Sequence, residues 1–263
     1  RPAPRVDDAP TPGARPRPWC STVPALALLA ALYAVVILAG DARAASGSDA
    51  GGKLATVAMM AEQHTLDPDL GYWAESADPD GRYHPLWNTV PTGDRWIQAT
   101  SLPFVIVAVP FWWAAGASGV LLLSVIGGLV AALAARRLSR VLHGGEGWAA
   151  FWLVGAAGPA LFYAGDFWEH APALGLALLA IALALDADRP SQAAIAGLCG
   201  GLAVVLRAEM LLYGLTFFVS CLAVRDERRR WFGRPWSGIA LVVGAALPGL
   251  ANAGLERGVL PGG

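Results

Sequence analysis

The chain has 263 residues, 56% of them hydrophobic and only 15% charged, with mean hydropathy +0.49. Soluble domains carry about 25% charged residues, so these charges are too few to cover a water-facing surface. Lys+Arg 19 against Asp+Glu 20 leaves net −1, which excludes a basic nucleic-acid binder, and three Cys exclude a disulfide scaffold. The composition is that of an integral membrane protein, and the few charges show how it is arranged.

Residues 1–21 hold Arg1, Arg5, Arg15 and Arg17 and read as a disordered cytoplasmic tail. Residues 22–40 form the first span, because Val23 to Gly40 lacks any charge and a bilayer core needs about 20 apolar residues as helix. Ala42-Arg43-Ala44 behind it resembles a signal-peptide cleavage site. The apolar run exceeds the usual ~7–15 residues of such a peptide, which favours an uncleaved anchor.

The segment 41–100 holds nine acids against four bases and belongs outside. Leu54, Val57, Ala58 and Ala61 predict a helix over Leu54–Leu66 lying along the membrane surface. Gly71 to Trp96 is rich in Trp, Tyr, Pro, Asp and Gly, which suits polar turns with aromatic residues at headgroup height. For any single acid in it, the plainer reading is a solvated loop residue. Leu102 to Gly116 is apolar but interrupted by Pro103 and Pro110, and it reads as an interfacial or re-entrant helix within an outside loop 41–117. The alternative is a full span.

Residues 118–255 form the rest of the bundle. Spans are expected at Ser118–Ala135, Gly147–Gly165, Ala171–Leu185, Ser191–Val205, Met210–Val224 and Ser237–Asn252, with a Gly197/Gly201 packing pair. Arg136, Arg137 and Arg140 belong inside, as do Arg225, Arg228, Arg229, Arg230 and Arg234. Asp166–His170 and Arg207–Glu209 then fall outside, while the net negative Asp186–Pro190 turn falls inside, against the rule. The missing initiator Met and the stop at residues 256–263, just past a span, point to a piece of a longer protein. The fold class expected is all-α, a polytopic transmembrane helix bundle with outer-side juxtamembrane helices in the first loop.

Two outer clusters carry candidate chemistry. Asp166, Glu169 and His170 end a span, and ionisable groups at membrane depth face a cavity, a partner or an ion. If a helix begins at Asp166 the three share one face; the plainer reading makes Asp166 a cap. Arg207 and Glu209 flank Ala208, where Arg207 can grip a phosphate bidentately or simply pair with Glu209. The chain lacks a P-loop, a dinucleotide fingerprint, HExxH, CxxC and any N-glycosylation sequon, and Cys20, Cys199 and Cys221 suggest neither a disulfide nor a metal site.

The order of one span, a long acidic outside loop and many further spans resembles the GT-C class of membrane glycosyltransferases, in particular the family-39-like mannosyltransferases, over most of residues 20–255. The resemblance rests on Ser48-Asp49-Ala50 after the first span, Asp80-Gly81-Arg82-Tyr83-His84-Pro85 before the Leu102-Pro103 run, and the aromatic stretch Phe162 to His170. Gly197 to Glu209 adds a Gly-rich span ending in Arg207. The first acid is followed by Ala50 where the class often has a second acid, and the C-terminal spans and soluble domain of full members are missing. The resemblance implies transfer of a sugar from a polyprenyl-phosphate carrier to an acceptor outside the cytoplasmic membrane, by inverting displacement. It implies Asp49 as base, Asp166, Glu169 and His170 shaping the site, Arg207 and Glu209 beside the lipid phosphate, and Lys53 and Arg82 as reserve cations. A divalent Mg or Mn ion is an optional cofactor, the partners are a lipid-linked sugar donor and membrane lipid, and nucleic acid is not among them. The competing readings are a transporter or flippase and a non-catalytic membrane scaffold.

Overall fold

A computed structural model describes residues 21–40, 49–86, 88–223 and 235–259. The basic tail 1–20, the Ala42–Ala44 cleavage-like site and the Arg225–Arg234 cluster lie outside the described residues. Of the described residues 73% are helical and 4% lie in strands, so the expected all-α class needs one correction, a β-hairpin in the first loop. Among the described residues three helices are long and apolar enough to cross a membrane: Thr22–Ala39, Leu102–His143 and Trp236–Val259.

Helix α1 (Thr22–Ala39) is apolar on every face, yet only the stripe Ala25, Leu29 and Tyr33 is buried. That stripe packs on Ala132, Phe151 and Ala164, leaving Val23, Leu28, Val35 and Leu38 on an apolar outer surface. The Tyr33 hydroxyl donates to the Gly155 carbonyl at 2.9 Å, which satisfies the one polar group on the stripe.

Helix α2 (Asp49–Glu62) starts five residues before the Leu54 that the periodicity predicts. Its Val57, Met60 and Ala61 pack against Leu102, Phe104 and Val105, so the apolar face meets protein and not a membrane surface. Behind it, β1 (Thr89–Thr92) pairs antiparallel with β2 (Arg95–Gln98). The two-residue loop puts Gly93 at φ 65°, where glycine suits the first position of a hairpin turn. The expected run of turns missed this hairpin, although Val90 opposite Ile97 follows the alternation of a strand pair.

Helix α3 (Leu102–His143) is broken at Ala115 and Gly116, where Gly116 takes φ 59° and ψ −144°. The chain doubles back there. Phe104 and Val107 of the first arm line one groove with Leu123, Ile126 and Gly127 of the second. The Trp113 indole donates to the Ala61 carbonyl at 3.1 Å and ties the arm to the end of α2. Residues 117–143 alone exceed the ~20 residues that a bilayer core requires.

The expected span 147–165 is two helices, α4 (Trp148–Ala156) and α5 (Pro159–Ala164). Pro159 cannot supply a helical N–H to the preceding turn, so the helix restarts after Gly158. Helices α6 (His170–Leu185), α7 (Pro190–Leu206), α8 (Met210–Ala223) and α9 (Pro235–Val259) complete the bundle close to the expected boundaries. Small residues permit the close approaches: a Cβ on Gly127 would collide with the α6 backbone at Pro172, and one on Gly197 with the Leu241 carbonyl of α9.

The charges separate to two ends of this bundle. At one end Arg136 donates to Thr22 Oγ1 at 2.9 Å and its guanidinium covers Trp148. Arg137 pairs with Asp186 at 2.7 Å there, which explains how an acidic turn sits beside a basic cluster. Asp49, Lys53, Glu169 and Arg207 gather at the other end, under the first loop.

Candidate functional site

The site forms where the first turn of α2, the residue before α6 and the residues after α7 meet. Asp49 opens α2, where a carboxylate complements the helix N-terminus. Lys53 lies one turn later, so i,i+4 spacing brings its ammonium 2.5 Å from Asp49 Oδ2. The same ammonium lies 2.5 Å from Glu169 Oε2. Glu169 Oε1 accepts from Arg207 Nη1 at 3.0 Å. Arg207 Nε donates to Glu209 Oε1 at 2.6 Å, and its Nη2 pairs with the same carboxylate.

The result is one ladder of alternating sign: Asp49, Lys53, Glu169, Arg207, Glu209. Three carboxylates against two cations leave it net negative by one. Burial is graded along it. The Lys53 and Glu169 side chains are 1% and 5% exposed, while those of Asp49, Arg207 and Glu209 are 29%, 26% and 42% exposed. An ammonium and a carboxylate so deeply buried persist only because each has charged partners on both sides. Burial pushes the Glu209 carboxyl up, but the hydrogen bond from Arg207, its own backbone N–H and the Arg207 charge together outweigh this and hold it below the ordinary glutamate value.

The ladder lines an open cavity of about 530 Å³, together with Asn88, Thr100, Ser101 and Leu206. Leu206 also lines an apolar groove of about 290 Å³ between the two arms of α3, Pro172 of α6 and Leu202 of α7. Charged cavity and apolar groove therefore share a wall, so a single ligand with a polar head and a hydrocarbon tail could reach both.

Of the expected residues, Asp49, Lys53, Glu169, Arg207 and Glu209 all converge here. Three others lie elsewhere. Because α6 starts at His170 and not at Asp166, the Asp166–Glu169–His170 face expected of a helix does not form. Asp166 Oδ1 instead accepts the Phe167 N–H at 2.7 Å, as a local cap. The His170 ring packs against both Tyr163 and Trp168, with centroids 4.5 Å and 4.7 Å away, in a three-ring cluster, and its Nδ1 is buried without a hydrogen-bond partner. Arg82 is exposed in the first loop, where its N–H donates to Asp78, and it does not line the cavity.

Sequence reasoning missed Gln98. Its Nε2 donates to Asp49 Oδ1 at 3.2 Å from the end of β2, and its side chain is buried. A Cβ on Gly52 would come 2.7 Å from the Gln98 amide, so glycine makes room for this contact. The available signal was Gly93 between two short runs rich in β-branched and aromatic residues, which marks a hairpin ending at Gln98. Among the described residues no group of three or more His, Cys, Asp or Glu could hold a metal ion. Asp49 Oδ2, both Glu169 oxygens and Glu209 Oε1 already accept from Lys53 or Arg207, and Asp49 Oδ1 accepts from Gln98, so the cluster as arranged does not fit the optional divalent ion. No protein-family model, curated protein or solved structure matches the chain.

Proposed function

We propose that the protein is a membrane glycosyltransferase resembling the GT-C class, which moves a sugar from a polyprenyl-phosphate carrier to an acceptor on the outer side of a cytoplasmic membrane, with its N-terminus inside. The observation that carries this reading is the convergence of Asp49, Glu169 and Arg207 on one cavity that adjoins an apolar groove. Sugar transfer from a lipid phosphate needs a carboxylate near the acceptor hydroxyl and cations where phosphate charge develops. Asp49 is the most exposed carboxylate touching Lys53 and is assigned the base role, with Oδ1 oriented by Gln98. Arg207 is assigned the departing phosphate, and Lys53 the spacing of Asp49 from Glu169. The carrier's hydrocarbon would run along the groove past Leu206.

The test is sugar transfer from a polyprenyl-phosphate sugar by protein in bilayers. Asp49→Asn is expected to abolish transfer while the protein still folds and inserts, at a lowered melting temperature because Lys53 keeps only Glu169 as a charged partner; full activity in that variant removes the base assignment.

The buried Lys53–Glu169 pair favours a second reading, ion-coupled transport, because a buried pair of ionisable groups at the end of an apolar helix bundle can mark an ion pathway. Ion uptake into sealed vesicles that depends on Glu169, without any sugar transfer, would favour it.

A further inference from the structure

Arg207 is the more exposed cation of the cavity, yet each of its three guanidinium nitrogens meets a carboxylate. Nη1 goes inward to Glu169, while Nε and Nη2 go to Glu209. These last two donors form the fork with which a guanidinium grips a phosphate. A phosphate cannot take that fork while a carboxylate holds it. The two carboxylates on Arg207 are not equivalent. Glu169 is 5% exposed and also anchored by Lys53, whereas Glu209 is 42% exposed and pairs with no second Lys or Arg among the described residues. Glu209 directly precedes α8, where its carbonyl accepts the Leu212 N–H, so its side chain can leave the fork by rotation without unpacking either helix.

We propose that Glu209 is an exchangeable carboxylate latch: it occupies the Arg207 fork at rest, and the phosphate of an incoming lipid displaces it. This rests on the reading of the cavity as a lipid-phosphate site. The charge balance fits the exchange. With Glu209 on the fork the ladder is net negative by one and repels a phosphate. With Glu209 swung to solvent, Asp49, Lys53, Glu169 and Arg207 sum to zero, and the fork faces the cavity unpaired. No bond is made or broken. The latch sets affinity and selectivity, since an anion must outcompete a carboxylate already in place, and a neutral isoprenoid alcohol cannot.

The test is equilibrium binding to the full chain in lipid nanodiscs, with farnesyl phosphate, inorganic phosphate and farnesol as probes. In Glu209→Gln, farnesyl phosphate is expected to bind about tenfold tighter than in wild type, because a charge-assisted competitor is gone. Farnesol binding is expected to stay unchanged. The gain is expected to vanish in Arg207→Gln/Glu209→Gln, because the fork is absent. Inorganic phosphate separates the sources of the ligand: the same proportional gain at much weaker affinity identifies a lipid phosphate, whereas equal affinity for both probes identifies a free anion and overturns the lipid part of the proposal. Glu209→Asp, which keeps the charge but shortens the reach, is expected to fall between wild type and Glu209→Gln and guards against a folding artefact. Unchanged or weaker farnesyl phosphate binding in Glu209→Gln, with an unchanged melting temperature, overturns the latch. The same preparations are assayed for sugar transfer. Tighter phosphate binding without any transfer leaves the latch standing and removes the enzyme reading; transfer without a binding gain does the reverse.

Discussion

Lys53 of α2 and Glu169 ahead of α6 are 116 residues apart in sequence and 2.5 Å apart in space. Their contact joins the first loop to the bundle, and neither group has enough water around it to stand alone. Breaking a buried pair by removing one partner costs about 3–5 kcal/mol, because the other charge is left uncompensated. Lys53→Met, which keeps the length of the side chain, is therefore expected to lower the melting temperature in detergent sharply. Lys53→Met/Glu169→Gln removes both formal charges and is expected to recover part of the loss. Additive losses in the pair of variants would show that the contact contributes nothing specific.

Gly116 permits the reversal of α3. At φ 59° and ψ −144° it lies in a region that only glycine occupies readily, and no other atom lies within 4 Å of the place a Cβ would take. Gly116→Ala therefore isolates backbone strain from steric collision. It is expected to destabilise by about 1–3 kcal/mol and to loosen the Trp113–Ala61 contact at the hairpin tip. Gly214→Ala, in the open middle of α8, is the control and is expected to be neutral or slightly stabilising. Equal effects at the two positions would mean that the reversal is not under backbone control.

The spans were legible because apolar length is a one-dimensional property; α1, α6 and α7 begin and end within a residue or two of the hydropathy boundaries. The break before Pro159 was not, since Gly158 and Pro159 sit in an unbroken apolar run. Glu169, Arg207 and Glu209 were legible by scarcity, since a charge beside the spans of a chain this apolar stands out; Asp49, one of nine acids in its loop, came only from the resemblance. Their pairing was not legible. Lys53 looked like a spare cation for a ligand, but the fold buries it between two carboxylates. Gln98 carries no charge and entered the site only because β2 turns it toward Asp49. Arg82 had charge and a suggestive neighbourhood, but the Asp78 turn holds it in the exposed part of the loop.

That turn gives a pH prediction. Asp78 accepts the N–H groups of Tyr83 and Arg82 and the Tyr72 hydroxyl, and these bonds, the Tyr83 N–H foremost, hold its carboxyl below the ordinary aspartate value. A carboxyl depressed on folding stabilises above its unfolded value of about 3.9 and loses that contribution as the pH falls through the lower folded value. The Tyr72–His84 segment is expected to become open to proteolysis below about pH 4, while the helices remain protected. Asp78→Asn has no carboxylate to protonate and is expected to lose the pH step and be cut alike at pH 7 and pH 3. A step that persists in the variant would assign it to another group.

The last prediction concerns the two ends of the bundle. Gly145, beside the Arg136–Glu146 pair, and Trp73, exposed in the first loop, belong to opposite ends. If the bundle crosses a membrane in the proposed orientation, a bilayer separates them. Cys199 is buried in α7, but Cys20 and Cys221 also require replacement before labelling. In intact cells, Trp73→Cys is expected to react with a membrane-impermeant maleimide, and Gly145→Cys only after the membrane is opened. The sign follows from the basic residues: Arg136, Arg137 and Arg140 lie at the Gly145 end, and excess arginine is retained on the cytoplasmic side. Labelling of Gly145→Cys and not Trp73→Cys in intact cells would invert the protein, place the Asp49–Glu209 ladder inside, and remove an outer-side sugar transfer. Labelling of both without opening the membrane would show that the helices between them do not form a sealed crossing.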